Sequence, residues 1–222
     1  MASSASRTAR VALAMMGFVT APGAEQAELR VVPANEASWA DLQTVLGTRG
    51  QGARCQCQRY RLRPRESFAG TPVEERADRW RQQTDAGHPD SDTTSGLVAF
   101  LAGEPVGWCA VAPRPDQPGL RHSPVPWAGR TEDEADAGVW AVTCVFTRAG
   151  YRRRGVSRAL VRAAVPFARE RGARVLEGYP MLPVAAVGEE LHVGSVSAFA
   201  AAGLVTVSHP TTRRVVMRLD LR

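Results

Sequence analysis

The sequence contains no lysine and no isoleucine; all 28 of its basic residues are arginine. A GC-rich coding bias accounts for both gaps, yet the first of them removes whole chemistries. A Schiff-base lysine, a lysine nucleophile and the phosphate-gripping lysine of a Walker loop are all excluded. No run of about 18 apolar residues occurs, so a spanning helix is not expected. Cysteine is sparse, at Cys55, Cys57, Cys109 and Cys144, and the Cys55–Cys57 spacing is not that of a zinc ribbon. No metal site is expected, and incidental thiols suit a reduced, cytoplasmic protein.

What is present is ordinary for a globular chain. Hydrophobic residues make up 44% of the 222 and charged residues 23%, which rules out wholesale disorder. A chain of this size buries roughly 70% of its unfolded surface and needs no staple. The net charge of +6 suits a partner that is an anion, such as a phosphate, without saying which. Arg7 and Arg10 followed by the apolar stretch Val11 to Val19 imitate a secretory leader, but the apolar core is short and Pro22 follows the cleavage-like Val-Thr-Ala. Residues 1–27 are therefore read as a flexible tail, with Met15 and Met16 as alternative starts, and residues 28–222 as one domain.

The periodicities predict a mixed α/β order. Leu29 to Val32 reads as a strand and Ala37 to Leu46 as a helix; Gly47 to Arg65 has no period and is left as a loop. Thr71-Pro72-Val73-Glu74 has the form of a capping box opening a helix to about Gln83. Leu97 to Leu101 and Val106 to Ala112 form a hairpin across Ala102-Gly103-Glu104-Pro105. The proline-rich stretch Arg114 to Gly138 is long enough to be functional or disordered. Its acidic run, Glu132 to Asp136, either draws a cationic amine or is simply solvated. Val139 to Thr147 reads as a central strand, Ser157 to Arg171 as an amphipathic helix kinked at Pro166, and Arg174 to Tyr179 as a strand. Ser195 to Ala202 is a short helix closed by Gly203; Leu204 to Ser208 and Arg213 to Leu221 close the sheet, with Arg214, Arg218 and Asp220 facing out.

One segment stands apart. From Val142 to Leu160 a buried strand runs into Arg148-Ala-Gly-Tyr-Arg-Arg-Arg-Gly155 and then directly into an amphipathic helix. The first amides of a helix lack acceptors and carry the positive end of the macrodipole. Gly155 lets backbone approach a ligand closely, and loop amides can form a concave nest for phosphate oxygens. Arginines add charge-assisted bonds of about 1.5–3 kcal/mol each. A pyrophosphate is a natural occupant.

These residues resemble the coenzyme signature Gln/Arg-x-x-Gly-x-Gly/Ala of the GNAT-type N-acetyltransferase superfamily, with Arg152, Gly155 and Ser157 at its defining positions. Ser157 stands where Gly or Ala is usual, as a small N-capping residue. The Gly103 to Trp108 hairpin resembles the family's second and third strands, and Phe199 to Leu204 the end of its fourth helix. The resemblance implies an α/β (α+β) fold with a mixed, mostly antiparallel sheet splayed between strands 4 and 5 and helices on both faces. It implies acetyl-CoA as acyl donor, with the acetyl carbonyl and pantetheine on the amides of Val145 and Thr147, beside a bulge in strand 4. The pyrophosphate would lie on the amides of Arg152, Arg153, Arg154, Gly155, Val156 and Ser157. The reaction implied is direct attack by an amine, small-molecule or peptide, on the thioester.

The acid and base are less determined. The family's fourth-helix tyrosine is replaced here by Phe199. Glu177 is taken as base and Tyr179 as substitute acid, because they share a strand face; the competing reading pairs Glu177 with an arginine and merely packs Tyr179. His192 and His122 rank lower. Cys144 and Cys109 are assigned to neighbouring strands near the pantetheine. A non-catalytic acyl-CoA sensor is the alternative function, and a basic nucleic-acid binder ranks last, since acids interrupt the arginines and no recognised motif appears. The loops Gly47 to Arg65 and Arg114 to Gly138 are expected to shape the acceptor pocket; neither nucleic acid nor membrane is expected as partner, and the oligomer is monomer or homodimer.

Overall fold

The computed structural model describes residues 28–182 and 190–221. Seven strands form one sheet in the order β1-β2-β3-β4-β5-β7-β6. They are β1 Leu29–Pro33, β2 Leu97–Leu101, β3 Glu104–Pro113, β4 Val139–Thr147, β5 Val175–Gly178, β6 Val205–Ser208 and β7 Val216–Asp220. Every neighbouring pair is antiparallel except β4 with β5. The expected fold is therefore present: mixed, mostly antiparallel, with one parallel pair at its centre.

Helices cover both faces because the strands carry apolar side chains on both. Against one face lies α4, Val156–Glu170, whose Val156, Leu160, Val161, Ala164, Phe167 and Ala168 are buried on a 3.6-residue stripe. The short α5, Val196–Ala200, joins the same core through Phe199. On the other face α1, Trp39–Leu46, and α3, Val73–Thr84, pack Leu42, Val45 and Trp80 over Val98, Phe100 and Trp108. Trp80 meets both Trp39 and Trp108 edge-on, at centroid distances of 5.4 and 5.1 Å.

Local chemistry sets most boundaries. Ser38 and Asp41 close a reciprocal capping box at the start of α1. The box expected at Thr71 does not form. Pro72 is the N-cap of α3, and Thr71 turns inward so that its carbonyl accepts from buried Arg76. The β2–β3 turn contains only Ala102 and Gly103, both at positive φ (51° and 81°), as a two-residue hairpin turn requires; Glu104 and Pro105 already belong to β3. Pro166 lies within α4 on its exposed face, where water can satisfy the Arg162 carbonyl it leaves without a donor.

Two stretches without period are more ordered than their composition announces. Gly47 to Arg65 contains α2, Gly50–Cys55. Arg114 to Gly138 is stitched down by 3-10 turns at Arg114–Asp116 and Pro118–His122, by Gln117 Nε2 on the Ala141 carbonyl (3.0 Å) and by Trp127 Nε1 on the Leu120 carbonyl (2.8 Å). This packing corrects the reading of β7. Val216 is as buried as Met217, and Arg218 is turned inward onto Glu132 and Glu177 instead of facing solvent.

Candidate functional site

The parallel ladder between β4 and β5 is short. It pairs Val139–Val142 with Val175–Gly178 and stops, while β4 continues to Thr147 beside β3. Opposite adjacent Ala110 and Val111 of β3 stand Cys144 and Val142, so Thr143 is an extra, bulged residue at the point where the ladder ends. Beyond it the amide direction follows from one bond. Arg148 N donates to the Val106 carbonyl (2.8 Å), and antiparallel alternation then turns the amides of Phe146 and Cys144 toward β3 and those of Val145 and Thr147 away from it. Both amides that the resemblance singles out face the side where β5 has left the ladder.

The chain then turns into α4. Gly150, Arg153 and Gly155 hold positive φ (88°, 63° and 81°), while Arg152 and Arg154 between and beside them do not. Such alternation aims successive N–H groups into one concavity. Gly155 is the N-cap, and a Cβ there would meet nothing within 4 Å. The glycine is required by the backbone angle, and the space above it is open. Ser157 is not the cap; it sits one residue into the helix with its hydroxyl 3.2 Å from that of Thr147. Arg152, Arg153 and Arg154 are exposed, and Arg154 leans over the Tyr151 ring at 5.5 Å.

Nest and splayed strand open into one cavity of about 1330 Å³. Val145, Thr147, Arg152, Arg153, Gly155, Val156 and Ser157 all line it; of the residues expected at the coenzyme, Arg154 alone does not. Gln43 to Gly52 with Cys55, Cys57 and Arg59 form a further part of its lining, and His192, Ser195 and Ala198 contribute from α5 and the residues before it. An open, amide-lined concavity beside guanidinium groups fits a diphosphate, and the volume leaves room beyond it.

The family's sequence profile, described as the acetyltransferase (GNAT) family, matches residues 59–180. The chain belongs to the GNAT acetyltransferase family. Solved structures agree on the fold. An N-acetyltransferase from Staphylococcus aureus Mu50 superposes with a TM-score of 0.50 at 12% identity, covering 88% of this chain and 99% of that one. The yncA protein of Salmonella typhimurium, solved with its cofactor acetyl-CoA, gives 0.51 at 13% identity over 87% and 94%. No curated protein matches the sequence significantly.

Within this GNAT domain the two residues expected to move protons are elsewhere. Neither Glu177 nor Tyr179 lines the cavity. Glu177 is fully buried, and its carboxylate takes Arg114 Nη1 (3.4 Å), Arg218 Nη1 (3.1 Å), Arg130 Nη2 and the Tyr179 hydroxyl (3.1 Å). Burial raises the Tyr179 pKa well above its ordinary value, and the Glu177 charge adds to that rise. A carboxylate held by three guanidinium groups, and a phenol donating to it, are not poised to take a proton from an acceptor amine. The pair is arranged as the competing reading has it, with Glu177 held by arginines and Tyr179 packed beside it. Glu132 closes the cluster through Arg130 (2.8 Å) and Arg114 (3.2 Å). Burial pushes its carboxyl up, but those bonds outweigh it and the net shift is downward.

Phe199, at the family's tyrosine position, is fully buried against Gly178 and Gly194 and brings no hydroxyl. Cys109 lies in the core under α4, where burial raises its thiol, so only Cys144 of the expected pair reaches the cavity. There it faces Cys57, whose Sγ receives the Trp108 indole N–H at 2.9 Å. The adjoining Cys144 thiol lowers the Cys57 pKa against the effect of burial, with help from Trp108. His192 does line the cavity, which its isolated place in the sequence did not signal; of the two loops expected to shape the acceptor pocket, Gly47 to Arg65 lines it as far as Arg59, and Arg114 to Gly138 does not.

Proposed function

We propose that the protein is an acetyl-CoA-dependent N-acetyltransferase that delivers an acetyl group to a primary amine of a small molecule or peptide by direct attack. The observation that carries this reading is the shared cavity: the alternating-φ nest at the start of α4 and the outward amides of Val145 and Thr147 open into the same space. Acetyl-CoA, when bound, supplies an activated acyl group on a thiol leaving group. The amides of Arg152 to Ser157 hold diphosphate oxygens, aided by the helix dipole and by Arg152 and Arg153. The amides of Val145 and Thr147 orient the pantetheine arm and donate to the acyl oxygen, where negative charge develops. Cavity walls from α1–α2 and α5 fix the amine close to the acyl carbon, so proximity supplies a large share of the rate.

His192 is our assignment for the proton acceptor, since it lines the cavity and imidazole exchanges protons near neutral pH. Glu177 and Tyr179 anchor β5 to the 114–133 loop. His192→Gln is expected to lower kcat by about 10²–10⁴-fold with little change in the KM for acetyl-CoA; an unchanged kcat removes His192 from the chemistry. Phe199 favours a second reading, a coenzyme-binding module without turnover. Calorimetry with acetyl-CoA, followed by free-thiol release against a panel of amines, separates the two: binding with thiol release supports the enzyme, and binding with sustained silence supports the sensor.

A further inference from the structure

No residue of the acidic run Glu132 to Asp136 lines the cavity, and three of its four carboxylates are held by arginines. Glu132 is bound by Arg130, Arg114 and Arg218, Asp136 by Arg174 (2.8 Å), and Glu134 by Arg121 (3.9 Å). The charge facing the cavity is of the other sign. Arg148, Arg152, Arg153 and Arg158 lie at the nest, and Arg49 and Arg59, from the segments before and after α2, line the same cavity. Arg148 is paired with Glu104 (3.2 Å), which leaves three guanidinium groups at the nest for the phosphates of a coenzyme. The Gln43 to Arg59 lining has cationic charge of its own, and among the described residues neither of the exposed Arg49 and Arg59 has a carboxylate within 4 Å.

Arg59 is the better placed of these two. Cys57 is fastened to the sheet by the Trp108 indole and lies beside Cys144, the residue before Val145. Two residues span at most about 7 Å, so Arg59 leaves the wall next to the acyl end of the cavity. Its position is fixed from behind, since Gly119 N donates to the Tyr60 carbonyl (2.9 Å) and Gly119 leaves no room for a side chain against Tyr60. Arg61 adds a second cation just outside the lining. It is half-buried, and among the described residues no carboxylate lies within 4 Å of it; burial lowers its pKa, and the charge of Asp116 offsets only part of that. A guanidinium drawn from water without a paired anion is costly unless an anion arrives.

We infer that the acceptor is an amine bearing its own acidic group, a carboxylate or a phosphate, and that Arg59, supported by Arg61, holds that group while the amine faces the acyl carbon. This rests on the N-acetyltransferase reading, and the test separates the two.

The experiment has a turnover arm and a binding arm. Thiol release is measured with glutamate, glycine and phosphoethanolamine, with the carboxamides of the two amino acids and ethanolamine as the phosphate-free control, and with spermidine. Acidic amines are expected to show kcat/KM at least about tenfold above these controls and above spermidine, the range of one charge-assisted contact; carboxylate and phosphate donors are told apart by which of them leads. In Arg59→Glu the KM for acidic amines rises about 10–100-fold while the affinity for acetyl-CoA stays the same. Independently, calorimetry titrates the same amines into the protein with and without CoA; acidic amines bind and Arg59→Glu abolishes that binding. A preference for spermidine or for the controls overturns the inference, as does an equal loss of coenzyme affinity in Arg59→Glu, which assigns Arg59 to the coenzyme. If no amine is acetylated, the N-acetyltransferase reading fails, and the binding arm alone still decides whether acidic amines are held.

Discussion

At Gly155 the backbone sits at φ 81° with open space above it. Aspartate tolerates this region better than most residues, so Gly155→Asp is expected to leave the fold standing while placing a negative charge in the nest. Calorimetry should show acetyl-CoA affinity falling at least about 100-fold, the cost of replacing attraction by repulsion at a phosphate. Undiminished affinity would remove the nest from the site. Glu177 is the opposite case, a residue whose charge is needed inside. Glu177→Gln leaves Arg114, Arg130 and Arg218 converging on a neutral amide, and breaking a buried ion pair costs about 3 kcal/mol or more. Urea unfolding should show that loss. A variant as stable as the parent but slower in acetyl transfer would return Glu177 to the chemistry.

Among elements, α3 and the segment before it depend on charge in a way that pH exposes. Arg79 of α3 donates to both oxygens of Glu66 (2.7 and 2.9 Å), and with the Arg63 amide it lowers the Glu66 pKa to about 2. A carboxyl whose pKa is lower folded than unfolded stabilises the fold fully above its unfolded pKa of about 4.3 and loses that contribution as pH falls toward 2. Thermal midpoints of the protein and of Glu66→Gln, measured across this window, should converge as pH drops and differ most above it. Added salt should narrow the difference, because the pair is near the surface. Parallel curves at all pH values would show that Arg79 gains nothing from the Glu66 charge.

For the molecule as a whole, the cavity joins parts distant in the chain: α1–α2 from the first third, β4 and the α4 start from the middle, His192 and α5 from the last part. A ligand filling it binds the assembled fold and not the unfolded chain. Acetyl-CoA at about 100 times its dissociation constant should add about 2.7 kcal/mol, seen as a rise of roughly 5–10 °C in Tm. Gly155→Asp should abolish most of that rise. No helix among the described residues is long and apolar enough to cross a membrane.

By itself the sequence determined whatever depends on neighbours along the chain. The Val139–Thr147 strand, the apolar stripe of α4 and the glycine between them are local patterns, and together they located the arginine-rich turn into α4. Periodicity also found the outer strands, because alternation and turns are written within a few residues. Only the tertiary structure decided what Glu177 does: its sequence neighbours are apolar, while the arginines that hold it come from positions 114, 130 and 218. The Gly47 to Arg65 loop was legible as pocket lining but its order was not, since that order comes from packing on Phe146, Trp108 and the 118–120 turn and not from any period of its own. Charge told the same story at larger range, with acids that look exposed in the chain spent on inward arginines, because ion pairing is settled by distance in space.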